Sequence, residues 1–291
     1  MITETVFAGG LVVAGLGGYA VFYEPLRKPR VTEYRVRSDR FTFFRQRNKR
    51  GLRIAVLSDL HACRFWMDAP RIKGIVAQTN ALEPDLVLLL GDYVSAIWPK
   101  LKSNIPLETW STAVAKLTAP MGRFAVLGNH DCRFGAQRIT KALEDAGVPV
   151  LHNTAIQLRT PAGARFWIGG LGDQKAHRVS RGRYQGADDF DGTASQVRGD
   201  TDPFILMAHE PEIFQSTSGR VDLLLSGHTH GGQVRLPGIG SLYTPSHMPK
   251  SHVYGHVFDG NRQMIVSGGL GCSRLPLRFL MPPEIVMIET I

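Results

Sequence analysis

The stretch Phe124-Ala125-Val126-Leu127-Gly128-Asn129-His130-Asp131 carries the pattern from which the fold can be read. Four apolar residues suit a buried strand, and Gly128 lets the chain turn sharply where that strand ends. Three polar side chains then emerge together at a strand's carboxyl end, the edge where open α/β sheets place their ligand crevices. An amide oxygen, an imidazole and a carboxylate at one turn can bind a metal, donate a proton and orient the donor. Alone, the triplet is equally well explained as a turn with an Asx cap. Its weight comes from four other clusters that repeat the arrangement.

Outward from this stretch, residues 52–57 read as a buried strand followed by Ser58-Asp59-Leu60-His61. Residues 86–90 form a second, ending in Gly91-Asp92. Residues 204–207 lead to His209, and residues 221–225 lead to Gly227-His228-Thr229-His230. Between the strands, Asp68 can cap a helix running to about Asn80, and Pro106 can open another. Residues 137–146 read as a helix closed by Gly147. This strand-helix rhythm argues a layered α/β fold. Residues 31–37 read as an edge strand, 173–202 as a polar surface excursion with one short helix, and 231–291 as mostly β.

Five apolar strands thus end in metal-capable groups: Asp59 and His61; Asp92; Asn129 and His130; His209; His228 and His230. Carboxylates and imidazoles are costly to bury unpaired, and convergence on divalent cations satisfies them together. The donors mix oxygen with imidazole nitrogen and include no thiolate, which suits Mn²⁺, Fe or Zn²⁺ over an all-oxygen Ca²⁺ or Mg²⁺ cage. Seven ligands are too many for one ion with an open position. They suit two ions sharing a carboxylate, and the single central Asp92 is the natural bridge.

The formal net charge is +9, from 34 basic and 25 acidic residues. Much of the excess lies between Arg27 and Arg53. It reads as a solvated linker or as a patch facing anionic lipid headgroups; no aromatic-basic module for nucleic acid is visible. Residues 6–23 are uncharged, apolar and glycine-rich, and as a helix would span roughly 27 Å against a bilayer core of about 30 Å. The leader Met-Ile-Thr-Glu-Thr lacks the basic residues of a signal peptide, and no Ala-x-Ala follows. We therefore expect a retained N-terminal transmembrane helix, with a basic juxtamembrane segment, over residues 1–30 and a catalytic domain over 31–291. The cationic flank places that domain on the cytoplasmic side. Three widely spaced cysteines, Cys63, Cys132 and Cys272, make no disulfide framework.

Asp59-x-His61, Gly91-Asp92, Gly128-Asn129-His130-Asp131, His209 and Gly227-His228-Thr229-His230, in that order over residues 54–233, resemble the five blocks of calcineurin-like metallophosphoesterases. The resemblance implies a four-layer α/β/β/α sandwich with its site at one edge. It implies one divalent ion held by Asp59, His61 and His230, a second by Asn129, His209 and His228, and Asp92 between them. It implies hydrolysis of a phosphodiester or pyrophosphate by a hydroxide held between the ions. His130 would act on the leaving oxygen, and Asp131 would orient His130. Ala208-His209-Glu210-Pro211, the run from His228 to Gln233 and the late Pro-Leu-Arg-Phe resemble a membrane-anchored bacterial branch. Some of its members cleave UDP-2,3-diacylglucosamine in lipid A biosynthesis. That substrate is a membrane lipid met at the cytoplasmic face of the inner membrane. A general phosphodiesterase on nucleotides or other lipids and a metal-bearing scaffold without catalysis are the alternatives. Gln233 and Arg235 read as structural or as residues that could reach a phosphate, and Trp66 and Met67 as core residues or as an apolar wall near the site.

Overall fold

Leu86–Leu89 and Phe204–Met207 are apolar and buried at every position, as strands covered on both faces must be. The structure, a computed structural model, describes residues 14–95, 105–180 and 182–291. In chain order its strands are β1 (Arg30–Val36), β2 (Arg53–Leu57), β3 (Leu86–Leu89), β4 (Arg123–Ala125), β5 (Thr154–Arg159) and β6 (Arg165–Gly170). There follow β7 (His177–Ser180), β8 (Arg183–Gln185), β9 (Phe204–Met207), β10 (Leu223–Ser226), β11 (Arg235–Leu236) and β12 (Gly240–Ser241). The last three are β13 (Gly255–Asp259), β14 (Arg262–Val266) and β15 (Glu284–Thr290).

Two mixed sheets result. The first has the order β1-β15-β2-β3-β4, parallel except where β15 meets β2. The second has the order β13-β14-β10-β9-β6-β5, with antiparallel pairs only at its two edges. Alternation along β2 explains how the layers stack. Ile54 and Val56 enter the core between the sheets, opposite Phe166, Ile205 and Leu225. Ala55 and Leu57 face the other way, toward Ile72, Val76, Trp110 and Leu143 of the helices Ala69–Asn80, Leu107–Val114 and Asn129–Asp145. The outer face of the second sheet is covered by a 3₁₀ turn at Pro211–Gln215 and by short segments bearing Met248 and Val253. The expected four layers are present, the fourth built from short helices and loops.

Two segments differ from the sequence reading. The basic stretch after β1 is not a plain linker. Ser38 caps a helix at Asp39–Asn48, its hydroxyl accepting from Phe41 N at 3.1 Å. Phe41 and Phe44 of that helix are buried between the sheets, Phe44 standing edge-on to Phe166 at 5.7 Å. Arg40 pairs with Asp222 at 3.2 Å, and Arg50 forms a bidentate pair with Asp85, so part of the cationic excess is neutralised within the fold. The helix expected from residue 137 starts at Asn129 and kinks at Gly135, whose φ of 131° no other residue type adopts comfortably. The metal-capable turn is therefore the first turn of a helix.

Of the apolar run 6–23, residues 6–13 lie outside the described residues. Residues 14–18 are helical and Tyr19–Tyr23 make a π-helical turn. Among the described residues no helix is long and apolar enough to cross a membrane, so the expected transmembrane helix has no support in the fold. The three cysteines are free. Phe44→Ala should lower unfolding stability by about 3–5 kcal/mol, read from the urea midpoint at unchanged m-value, because it empties a fully packed aromatic site. A loss below ~1 kcal/mol would mean that this helix does not close the core.

Candidate metal centre

The ends of β2, β3, β9 and β10 and the start of the Asn129–Asp145 helix meet at one edge of the sandwich. The loops after β2 and β3 stay paired beyond the strands: Asp59 N donates to Gly91 O at 3.0 Å and His61 N to Asp92 O at 2.9 Å. Asp59, His61, Asp92, His228 and His230 all have left-handed backbone, with φ of 53°, 46°, 56°, 66° and 52°. A non-glycine residue held there costs roughly 1–3 kcal/mol, and five together mark a site whose geometry the surrounding fold imposes. Close approach also dictates two glycines. A Cβ on Gly128 would lie 2.6 Å from Asp92 N, and one on Gly227 would lie 2.5 Å from Asp59 Oδ2.

The side chains form three overlapping groups: Asp59, His61 and His230; His61, Asp92 and His130; Asp92, His209 and His228. His61 Nε2 is 3.1 Å from His230 Nε2, and His209 Nε2 is 3.3 Å from His228 Nδ1. Asp92 Oδ2 lies 3.3 Å from His209 Nε2, 3.6 Å from His61 Nε2 and 4.0 Å from His130 Nε2. Asp59 Oδ1 lies 3.3 Å from His230 Nε2. His61 Nδ1 is 3.2 Å from Val94 O and His209 Nδ1 is 2.7 Å from Leu90 O. A carbonyl only accepts, so both Nδ1 atoms carry a proton, and in the neutral ring each Nε2 turns a lone pair inward. Asn129 is buried, and its Oδ1 has no hydrogen-bond partner among the described residues. An inward set of nitrogen lone pairs, carboxylates and one orphan amide oxygen fits divalent cations.

Electrostatics agree with that fit. Burial pushes His61 down to about 3, with His130 adding to the effect. Burial likewise holds His228 and His230 well below the usual imidazole range, helped by Lys175 and His61 respectively. Burial lowers His130, with Asp92 opposing and Arg133 and Arg274 reinforcing. Burial thus favours the neutral form of His61, His228 and His230, the form in which an imidazole binds metal. His209 is the exception, where Asp92 outweighs burial and raises it well above the usual range. Burial raises Asp59 to about 6, against the pull of His209. Asp92 goes the other way: burial opposes, but His209, His130 and His61 outweigh it and keep the carboxylate ionised.

Asp131 does not act as expected. Its Oδ2 accepts from Asp92 N at 2.7 Å and Gly128 N at 2.9 Å, and its Oδ1 from Tyr93 N at 2.9 Å and Val94 N at 3.3 Å. Helix geometry explains the difference: the third residue of a first turn reaches back to its own cap. Asp131 thus fixes the loop that carries Asp92, and no hydrogen bond joins it to His130 among the described residues. Gln233 is structural: its amide bonds Leu275 O, Leu277 O and Ser273 N. Met67 is buried in the core beneath the helices, and Trp66 donates to Val21 O at 3.3 Å. Sequence reading missed Lys175, which leaves the 173–202 excursion to place Nζ 2.9 Å from His228 Nε2. A lysine in a polar loop carries no pattern that could have found it. It also missed Arg278, although the Pro-Leu-Arg-Phe run that holds it stood out.

The fold and the site define an α/β/β/α metallohydrolase scaffold with a His/Asp metal centre at its edge. Residues 52–232 match the family described as calcineurin-like phosphoesterase, and the chain belongs to that family. It is 32% identical over 284 residues to the uncharacterized metallophosphoesterase YkuE of Bacillus subtilis, covering 96% of this chain and 91% of that one. It is 31% identical over 256 residues to the phosphodiesterase YaeI of Escherichia coli, covering 87% and 86%. A crystal structure of a putative 5′-nucleotidase from Staphylococcus aureus shares the fold, with a TM-score of 0.50 at 11% identity over 77% of this chain and 49% of that one. The protein is thus a metal-dependent phosphoesterase of hydrolase type.

Asp131→Asn should weaken Mn²⁺ binding by about 10–100-fold, measured by titration of the metal-free protein, because an amide NH₂ would face backbone donors. Unchanged affinity would show that the Asp92 loop holds without it.

Proposed function

We propose that the chain hydrolyses a phosphodiester or pyrophosphate bond with two divalent ions, Asp92 lying between them. The placement of Asp92 Oδ2, 3.6 Å from His61 Nε2 of one half and 3.3 Å from His209 Nε2 of the other, is the observation that carries this reading. Asp59, His61 and His230 would hold one ion, and Asn129, His209 and His228 the other. Bound there, the ions supply Lewis-acid stabilisation of phosphoryl oxygens and a nucleophile at neutral pH. His130 is left for proton work. Its side chain is 11% exposed, the most open of the site's rings, and its Nδ1 has no hydrogen-bond partner among the described residues. From that position it would hydrogen-bond the departing oxygen. Lys175 Nζ stands 2.9 Å from His228 Nε2, and Arg133 and Arg274 are close enough to lower His130, cations that suit an anionic substrate.

The substrate reading is an amphiphile at a membrane surface, with UDP-2,3-diacylglucosamine the candidate and a nucleotide or another lipid diester the rival. A cavity of about 400 Å³ beside His230, lined by Leu242, Tyr243, Pro245, Leu275 and Leu277, supports it. So do Leu16, Phe22 and Tyr23, apolar side chains left exposed at the start of the described chain. In this reading residues 6–23 attach the enzyme to the bacterial inner membrane with its site on the cytoplasmic side. The name of YaeI agrees with diester chemistry.

With Mn²⁺, wild type should hydrolyse bis-p-nitrophenyl phosphate, and His130→Ala should lose about 10²–10⁴-fold in kcat while keeping its bound metal. Metal-loaded wild type as inert as the variant would leave a non-catalytic scaffold. UMP release from UDP-2,3-diacylglucosamine would decide for the lipid route; turnover of nucleotide diesters alone would decide against it.

A further inference from the structure

Residues 20–27 precede the first strand, yet they are built into the domain. The carboxylate of Glu24, a residue only 1% exposed, accepts from Leu280 N at 2.9 Å and from Met281 N at 2.6 Å. Ala20 O accepts from Arg278 N at 2.8 Å, and Val21 O accepts from Trp66. Arg71 donates to the carbonyls of Pro25, Leu26 and Arg27 at 2.7, 2.6 and 3.0 Å in the order Leu26, Pro25, Arg27. The last carbonyls of the N-terminal helical segment are therefore satisfied by groups of the catalytic domain.

What this segment grips is the loop behind one half of the metal centre. Arg278 is fully buried, and its guanidinium donates to the carbonyls of Gly268, Gly269, Gly271 and Met281. The same guanidinium stands 3.3 Å from His230 Nδ1. Leu270 N and Gly271 N donate to Ser58 O at 3.0 Å and Asp59 O at 2.7 Å. Met281 packs behind Gly231, where a Cβ would sit 2.7 Å from its sulfur. Asp59 and His230 both lean on this loop. Among the described residues no hydrogen bond joins this loop to the side chains of His209 or His228, the donors of the other half.

We propose that Glu24 is a positioning residue for the Asp59–His61–His230 ion position, so that the N-terminal segment completes one of two metal positions. Glu24 touches neither ion nor substrate; it fixes residues 280–281, which set Arg278 and Met281 against His230 and its neighbour. The inference rests on the two-ion reading. It makes enzyme cut free of its N-terminal segment a one-ion protein.

The test is Mn²⁺ titration of the full chain, with electron paramagnetic resonance to separate coupled pairs from single ions. Wild type should bind two ions with a coupled signal. Glu24→Ala should keep one ion at wild-type affinity and weaken the second by roughly 10–100-fold, the usual effect of losing support behind a ligand. The coupled signal should give way to that of an isolated ion. Glu24→Gln, which keeps one acceptor oxygen, should bind the second ion with intermediate affinity. This variant also decides the matter if Glu24→Ala does not fold. Two ions at wild-type affinity in the Gln variant and in any folded Ala variant would overturn the proposal, as would equal weakening of both. Fewer than two ions in wild type would instead overturn the two-ion reading.

Discussion

Two carboxylates and five imidazoles, nearly all of them buried, stand within a few ångströms of one another at the edge of the sandwich. Without a cation this is an unfavourable gathering: charges lose hydration and lone pairs face lone pairs. The fold overcomes it with backbone. Five of the donors sit in left-handed conformation, glycines 128 and 227 clear the space, and the Asp131 carboxylate ties four amides into one corner. The layered core makes those loops rigid enough to hold the strain. Its three apolar clusters cover both sheets on both faces.

Much of this was legible in the chain because strand and site share a periodicity. An apolar run buried on both faces announces its own end, and metal-capable residues placed there five times over cannot be a packing accident. The parts that stayed hidden have no such repetition. The Asp39–Asn48 helix lies in a run so basic that Phe41 and Phe44 do not stand out. The role of Asp131 depends on the helix starting at Asn129 rather than at residue 137; a residue next to His130 in sequence then points back toward Gly128. Glu24 belongs to a segment read as membrane attachment, and its partners are more than two hundred and fifty positions away. Long-range pairing of a single carboxylate leaves no trace in local pattern.

The electrostatic asymmetry among the donors follows from placement rather than residue type. Asp59 and Asp92 are equally hidden from water, yet burial lifts the first to about 6 while three imidazoles hold the second far down. The same contrast separates His209, which Asp92 raises well above the usual imidazole range against the cost of burial, from His61, which burial lowers.

The donors come from both sheets. Asp59 hangs from the first, His209 and His228 from the second, and His228 N donates to the Asp59 carboxylate across the gap at 3.1 Å. Cations seated there would act as rivets through two plates. Sliding one sheet over the other would have to pull the rivet, so the chemistry of the centre and the resistance of the sandwich to shear become a single mechanical property.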